Sequence, residues 1–114
     1  MVVDHGELTD AEVDRIFRAL ADATRRDIVR RTLIGEQTVS QLAEDYSMSF
    51  AAVQKHVAVL ETAGLVTKQQ HGRERLVRAN PAVIQRAQAL LDSYEELWRS
   101  RVSRLDALLA EDEQ

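Results

Sequence analysis

The sequence has no cysteine, only one proline and few aromatic residues, which make up 4% of its 114 residues. Without cysteine, the chain can form no disulfide, thiolate metal site or cysteine nucleophile. No apolar run approaches the length of a membrane-spanning helix, and the N-terminus lacks a signal-peptide pattern, so we expect a cytoplasmic protein. The composition, 45% apolar and 30% charged, is typical of one globular domain, here with an aliphatic core. At this length, dimerisation often completes the core.

The net charge of −4 argues against a nucleic-acid partner, but the charges are segregated along the chain. Residues 1–14 carry five acidic and no basic side chains, and residues 105–114 carry four acidic ones. Residues 49–78 instead carry five Lys or Arg side chains against two Glu, a local charge of +3. Because contacts to phosphate depend on local potential, the acidic total does not exclude DNA binding.

Residues 38–64 predict two helices joined by a tight turn. Thr38 can cap the first helix and Ser49 the second, and Gly64 can end the second. Apolar residues recur at spacings of three and four in both helices, namely Val39, Leu42, Ala43 and Tyr46, then Phe50, Val53, Val57 and Leu60. The face opposite the second stripe holds small, hydrogen-bonding and charged side chains: Ala51, Gln54, Lys55, Ala58 and Glu61, with His56 at its border. A DNA major groove accepts such a face, although an ordinary αα-hairpin has the same pattern.

Two further helices precede this stretch. Residues 1–8 lack a strong period and predict a mobile arm before a domain at 9–114. Thr9 and Glu12 form a capping box for a helix to about Ala21, whose apolar stripe is Val13, Ile16, Phe17 and Leu20. A second helix begins at Asp22 or Thr24 and runs to Gly35. Its arginines, Arg25, Arg26, Arg30 and Arg31, either form ion pairs with Asp22 and Asp27 or contact phosphate.

The period changes after Gly64. An extended run from Leu65 to Gln70, a turn at 71–73 and an alternating run at 75–78 predict a β-hairpin with a basic tip. Placed directly after a groove-binding helix, this hairpin is the wing of a winged helix-turn-helix. Arg73 is the best candidate for a contact to DNA, and Lys68, His71 and Arg75 are weaker candidates. The alternative is a solvated hairpin whose charges prevent edge association.

The last helix is predicted at about 81–110, because Asn80 can cap it, Pro81 suits its first turn and no breaker follows. Such a helix is roughly 45 Å long at 1.5 Å per residue, longer than so small a domain can cover. A homodimer through this helix and the first one solves the problem. The alternative is a helix that breaks near Ser93 or Arg99 and folds back. The residues predicted to pack in the dimer are Phe17, Leu91, Tyr94, Trp98 and Leu105.

With these elements in order, the chain resembles the ArsR/SmtB family of bacterial winged-helix repressors. The resemblance rests on LADATRRDIV at 20–29, QLAEDYSMSFAAVQKHVAVLETAGLV at 41–66 and GRERLVR at 72–78. It implies a mainly α winged helix-turn-helix fold of four helices, two strands and a fifth helix. It also implies a homodimer that binds inverted repeats in promoters and represses transcription. The side chains that it places in the major groove are Ser49, Ala51, Gln54, Lys55 and His56.

Within that family the chain resembles the cysteine-free members, whose inducer is another signal or unknown, rather than the known metal sensors. The family's arsenic and cadmium sensors use cysteines, which are absent here, and its zinc sensors use Asp and His pairs on the last helix. Here that helix has carboxylates but no His, which makes a poor zinc site. A metal-responsive alternative would combine Asp4, His5 and Glu7 with acidic residues of a partner's last helix. We predict no metal and no cofactor.

The sequence therefore predicts a DNA-binding transcriptional regulator, most simply a homodimeric repressor of its own or a neighbouring operon. The second hypothesis is a protein-interaction module that uses the long helix. An enzyme is not predicted, because no nucleophile is paired with a plausible base and no phosphate-binding glycine loop is present. The inducer, the operator and the regulated genes have no signature in the sequence.

Overall fold

The computed structural model describes residues 7–112 as five helices and a small sheet. The elements in chain order are α1 (Asp10–Leu20), α2 (Ala23–Ile34), β1 (Gln37–Thr38), α3 (Val39–Glu44), α4 (Phe50–Thr62), β2 (Val66–His71), β3 (Glu74–Ala79) and α5 (Pro81–Asp112). The predicted mainly helical winged helix-turn-helix is confirmed, with one strand more than predicted. The predicted arm, residues 1–8, lies mostly outside the described residues, and Leu8 at its end packs against the core.

Side chains at the helix starts explain why the helices begin where they do. The Thr9 hydroxyl accepts from the backbone N–H of Glu12, whose carboxylate accepts from the Thr9 N–H at 2.8 Å. Thr38 and Gln41 form the same reciprocal box at α3. Each box satisfies two backbone donors that a helix start leaves unpaired. The predicted cap at Ser49 is also confirmed, as is Asp22 at the start of α2.

The sheet has the strand order β1-β3-β2, and both pairings are antiparallel. The wing hairpin runs in register from Val66 opposite Ala79 to His71 opposite Glu74. β1 adds Gln37 and Thr38 opposite Val77 and Leu76. The sheet therefore ties the wing to the start of α3.

The core lies between the helices and one face of the sheet and consists of aliphatic side chains. Its members are Ile16, Ala19, Ile28, Val29, Val39, Leu42, Val53, Val57, Leu60, Leu65, Val66, Val77, Val83 and Ala87. Most predicted helix stripes point into it, but Phe50 does not and is 47% exposed. Phe50 is the first residue of α4 and shares a face with Val53 and Val57, but it lies at the exposed end of that stripe.

Helix α5 is continuous from Pro81 to Asp112, which confirms the predicted long helix and contradicts the alternative of a break near Ser93 or Arg99. Only its first turns are buried, through Val83 and Ala87. The described chain is 72 Å along its longest axis and 30 Å along the next. Much of α5 therefore packs against no other element among residues 7–112. The predicted cap of α5 is wrong, since the Asn80 side chain instead donates to the carbonyl oxygen of Gly64 at 3.1 Å.

Candidate nucleic-acid interface

Helix α4, which we call the recognition helix, buries one face and exposes the other. Val53, Val57 and Leu60 are fully buried. The exposed side carries the predicted groove residues Ala51, Gln54 and Lys55, together with Ala58. The small side chains let a helix approach closely, and the amide and ammonium groups beside them can bind base edges and phosphates.

Two predicted groove residues also serve the protein itself. Ser49 is exposed, but its hydroxyl accepts from the backbone N–H of Ala52 at 3.1 Å and so caps the recognition helix. His56 is only 21% exposed. Its Nδ1 lies 3.2 Å from a guanidinium nitrogen of Arg25 and 3.9 Å from a carboxylate oxygen of Asp22. The ring is therefore directed toward α2 rather than outward beside Gln54 and Lys55.

The arginines of α2 act mainly within the chain. Arg25 Nε donates to the Ala19 carbonyl at 2.7 Å, and Arg26 donates to the Leu20 carbonyl at 2.8 Å. These bonds satisfy carbonyls at the end of α1. Arg30 forms the predicted ion pair with Asp27, at 2.7 Å. A contact from these arginines to phosphate stays a prediction.

A polar cluster holds α3 against α2. The Tyr46 hydroxyl donates to Asp27 at 2.5 Å, and Arg31 pairs with Asp45 at 2.7 Å and lies 5.4 Å from the centre of the Tyr46 ring. Hydrogen bonds from Tyr46 and then Arg30 lower the pKa of Asp27. Burial, followed by the bond to Asp27, raises the pKa of Tyr46. The turn between α3 and the recognition helix is thus fixed at its start.

The wing has an exposed basic tip. Its turn contains Gly72 at φ +62°, a left-handed conformation, and the Gln70 side chain donates to the Gly72 carbonyl at 2.8 Å. His71, Arg73 and Arg75 are exposed there.

Lys68 differs from the other basic wing residues. Its side chain is 18% exposed, and its Nζ lies 3.8 Å from Oε1 of Glu61 at the end of the recognition helix. Lys68 therefore joins the wing to that helix. At the base of the sheet, Arg78 pairs with Glu36 and holds the loop before β1.

An apolar stripe runs along the outer part of α5. Leu91, Tyr94, Trp98 and Leu105, which the sequence places in a dimer, are 44 to 61% exposed, and Leu97, Leu108 and Leu109 widen the stripe. Phe17 on α1 is 37% exposed. A groove of about 540 Å³ separates α1 from the first half of α5 and has Arg86 in its wall.

The structure bears on two other expectations. Within residues 7–112, no three His, Asp or Glu side chains lie close enough to hold a metal ion together. Asp4 and His5, the proposed metal ligands, lie outside those residues. None of the helices between residues 7 and 112 is both long and apolar enough to cross a membrane.

Contacts between distant parts of the chain have no signature in the sequence. Arg25 and His56 are 31 residues apart, and neither belongs to a periodic pattern that indicates their contact. The Glu61–Lys68 pair spans the end of a helix and the start of a strand. Only the opposite charges of its members, close in sequence, could have indicated it.

Comparison with known proteins agrees with this geometry. The model of the arsR family of bacterial regulatory proteins matches residues 22–68, from the cap of α2 to the start of the wing. The HTH-type transcriptional regulator Rv2034 of Mycobacterium tuberculosis is 40% identical over 81 residues, which are 71% of this chain and 76% of that protein.

Solved structures show the same fold. The crystal structure of an ArsR family transcriptional regulator matches with a TM-score of 0.78 at 33% identity, over 82% of this chain and 97% of that one. An ArsR-like transcriptional regulator from Rhodococcus sp. RHA1 matches with a TM-score of 0.75 at 31% identity, over 86% of this chain and 92% of that one.

Proposed function

The chain belongs to the ArsR family of winged helix-turn-helix transcriptional regulators, and from this premise we propose that it is a homodimeric repressor that binds an inverted-repeat operator. The family consists of DNA-binding regulators rather than enzymes, so the prediction of a non-enzymatic function is confirmed.

The observation that carries the proposal is the exposed face of the recognition helix beside the basic wing. Gln54 can pair with two atoms of an adenine edge, and Lys55 can contact phosphate or guanine. Arg73 and Arg75 at the wing tip lie on the same basic segment and can reach an adjacent minor groove or backbone. In this proposal, phosphate contacts position the protein, and Gln54 supplies most of the sequence preference.

The apolar stripe of α5 supports a dimer. Burial of such a stripe contributes on the order of 25 cal/mol per Å² of apolar surface. A structural neighbour from Mycobacterium bovis, which shares the fold with a TM-score of 0.62 at 21% identity, is described as a homodimeric winged helix-turn-helix domain. We infer that this chain also pairs through α5 and α1. Two recognition helices related by a twofold axis would then enter successive major grooves about 34 Å apart.

The stripe follows a seven-residue repeat that favours an antiparallel pair of α5 helices. Leu91, Trp98 and Leu105 are seven residues apart, as are Tyr94, Arg101 and Leu108. A parallel pair would place Arg101 against Arg101. An antiparallel pair can instead place facing residues in three layers, Leu91 with Leu108, Tyr94 with Leu105 and Trp98 with Arg101. A guanidinium over an indole ring is a favourable contact.

The proposal that the chain represses transcription is supported by two similar proteins that are repressors. The repressor SdpR of Bacillus subtilis is 26% identical over 73 residues, and the arsenical resistance operon repressor of Escherichia coli is 28% identical over 96 residues. A dimer bound across a promoter blocks RNA polymerase sterically, so no further activity of the chain is required. The chain has no cysteine and so lacks the thiolates with which arsenic sensors of the family bind their inducer.

Selection of bound duplexes from a random pool tests the proposal. We expect the purified chain to enrich an inverted repeat and to bind it at least about a thousandfold more tightly than a scrambled duplex. Repeating the selection with a chelator and with added zinc, nickel or cobalt tests the metal-responsive alternative. Equal binding to the enriched and scrambled duplexes, or a stable monomer that binds neither, would contradict the proposal and favour a protein-interaction module.

A further inference from the structure

The guanidinium group of Arg25 joins three helices. Its Nε donates to the Ala19 carbonyl at 2.7 Å and its Nη2 to the Arg18 carbonyl at 3.1 Å, both at the end of α1. Its Nη1 lies 3.2 Å from Nδ1 of His56 on the recognition helix. The Arg25 backbone N–H donates to Asp22, which caps α2. One side chain on α2 thus contacts the end of α1 and the middle of the recognition helix.

The geometry determines which imidazole nitrogen carries the proton. A guanidinium can only donate hydrogen bonds, so Nδ1 of His56 accepts and the proton of the neutral ring lies on Nε2. The planar guanidinium is itself held by two carbonyls, which leaves its third nitrogen little freedom. The acceptor on His56 is therefore bound to a fixed donor, and rotation of the recognition helix about its axis would break the bond.

We propose that Arg25 and His56 are positioning residues that set the rotation of the recognition helix, with His56 acting through Nδ1 and not as a contact to DNA. The inference rests on the proposed DNA-binding function and assigns His56 a different role from that implied by the family resemblance. The bond also connects the recognition helix to α1, which the proposed dimer places near its interface. The spacing between the two recognition helices of a dimer depends on this connection.

Two substitutions of similar size separate the roles of the two ring nitrogens. In His56→Asn, the amide oxygen takes roughly the position of Nδ1 and can accept from Arg25, but nothing occupies the position of Nε2. In His56→Gln, the amide lies near the position of Nε2, and the acceptor for Arg25 is lost. Gln is the better helix former, so helix propensity alone favours the Gln variant and works against the expected result.

The measurements are dissociation constants for the duplex that the wild-type chain selects, over a range of salt concentrations. We expect His56→Asn to bind within about threefold of wild type, and His56→Gln and His56→Ala to bind about tenfold more weakly, the effect of one lost hydrogen bond to a charged group. The salt dependence should be the same for all of them, because no phosphate contact is removed. Thermal unfolding shows that each variant is folded.

A second readout separates positioning from general stability. Duplexes with one base pair added or removed between the half-sites change the relative rotation of the two grooves. Wild type and His56→Asn should discriminate against these duplexes, and His56→Gln should discriminate less, because its recognition helix is no longer fixed. The double variant Arg25→Met/His56→Gln should bind no more weakly than Arg25→Met alone, since the bond is already absent.

The opposite pattern would overturn the inference. Wild-type binding by His56→Gln with weak binding by His56→Asn would show that Nε2 contacts DNA. A decrease of about one in the slope of log K against log salt for His56→Gln would show the same. Equal loss in both variants, or loss in neither, would also overturn it. The proposed function fails in a different way, by equal binding of the wild-type chain to selected and scrambled duplexes.

Discussion

The side-chain amide of Asn80 donates to the carbonyl oxygen of Gly64 at 3.1 Å, across the base of the wing. The Asn80 backbone N–H donates in addition to the Leu65 carbonyl at 2.9 Å. Gly64 lies two residues after the end of the recognition helix, and Asn80 directly precedes α5. The whole wing therefore projects from a closed base, and the helix proposed for dimerisation begins at a fixed position relative to the helix proposed to bind DNA.

Two substitutions of Asn80 test whether its N–H donor, rather than the shape of its side chain, stabilises the fold. Asn80→Asp has the same shape but turns an oxygen toward the Gly64 carbonyl. We expect Asn80→Ala to lower the free energy of unfolding by about 1 kcal/mol, and Asn80→Asp to lower it by more, because the Asp oxygen repels the carbonyl. Urea unfolding at pH 7 measures both. Equal stability of Asn80→Asp and wild type would show that the bond contributes nothing.

Three glycines provide a graded test of backbone strain. Gly64 and Gly72 have φ values of +79° and +62°, whereas Gly35 is in an extended conformation that any residue adopts. We expect Gly64→Ala and Gly72→Ala each to cost about 1–2 kcal/mol of stability, the cost of a left-handed residue with a Cβ. Gly35→Ala should be neutral or slightly stabilising, because a Cβ there has no neighbour within 4 Å.

The control for strain alone is Gly72→Asn, since Asn tolerates the left-handed conformation better than Ala. It should be more stable than Gly72→Ala. If the three alanine variants unfold at the same urea concentration, backbone conformation does not determine the requirement for glycine at these positions.

Local signals predict most of this fold, because helix starts and stripes depend on residues a few positions apart. The pairs Thr9 with Glu12 and Ser49 with Ala52 lie within one helical turn, and their geometry follows from spacing. β1 could not be predicted, because two residues show no alternation and its partner Val77 is about forty residues away. The Asn80 side chain could equally cap α5 or bind elsewhere, and only the fold places Gly64 beside it.

In the candidate site, too, local patterns are predictable from the sequence and contacts between distant helices are not. Periodicity correctly indicates which face of the recognition helix is exposed, since burial of Val53, Val57 and Leu60 leaves Gln54 and Lys55 on the outside. His56 lies at the border of that face, where a change of one side-chain torsion decides between solvent and the interior. Its contact with Arg25 depends on how α2 packs, and the sequence pattern carries no information on that.

The hydrogen bond between Tyr46 and Asp27 should make stability depend on pH at both extremes. Because the pKa of Asp27 is lowered in the folded chain, its contribution is complete above the ordinary value of 3.8 and is lost as the pH falls through the folded pKa. Because the pKa of Tyr46 is raised, its contribution is complete below its ordinary value of 10.0 and is lost as the pH rises through the folded pKa.

Tyr46→Phe removes the donor and should lower the free energy of unfolding by about 1 kcal/mol at pH 7. The loss should shrink below pH 3.8, as Asp27 becomes protonated in wild type also. Urea unfolding curves measured between about pH 3 and about pH 7, with about one curve per pH unit, follow this trend. Tyr94→Phe, which removes a hydroxyl from the apolar stripe of α5, is the control, and an identical pH dependence of the two variants would contradict the prediction.

Gln54 and Lys55 should affect DNA binding in different ways. Lys55→Ala should weaken binding to all duplexes and lower the slope of log K against log salt by about 0.9, because one phosphate contact is lost. Gln54→Ala should leave the slope unchanged and relax the preference at one base pair by about 1–3 kcal/mol. The control is Arg99→Ala, which removes a cation on α5 that pairs with Glu95. If Arg99→Ala lowers the slope as much as Lys55→Ala, the change reflects net charge rather than a contact.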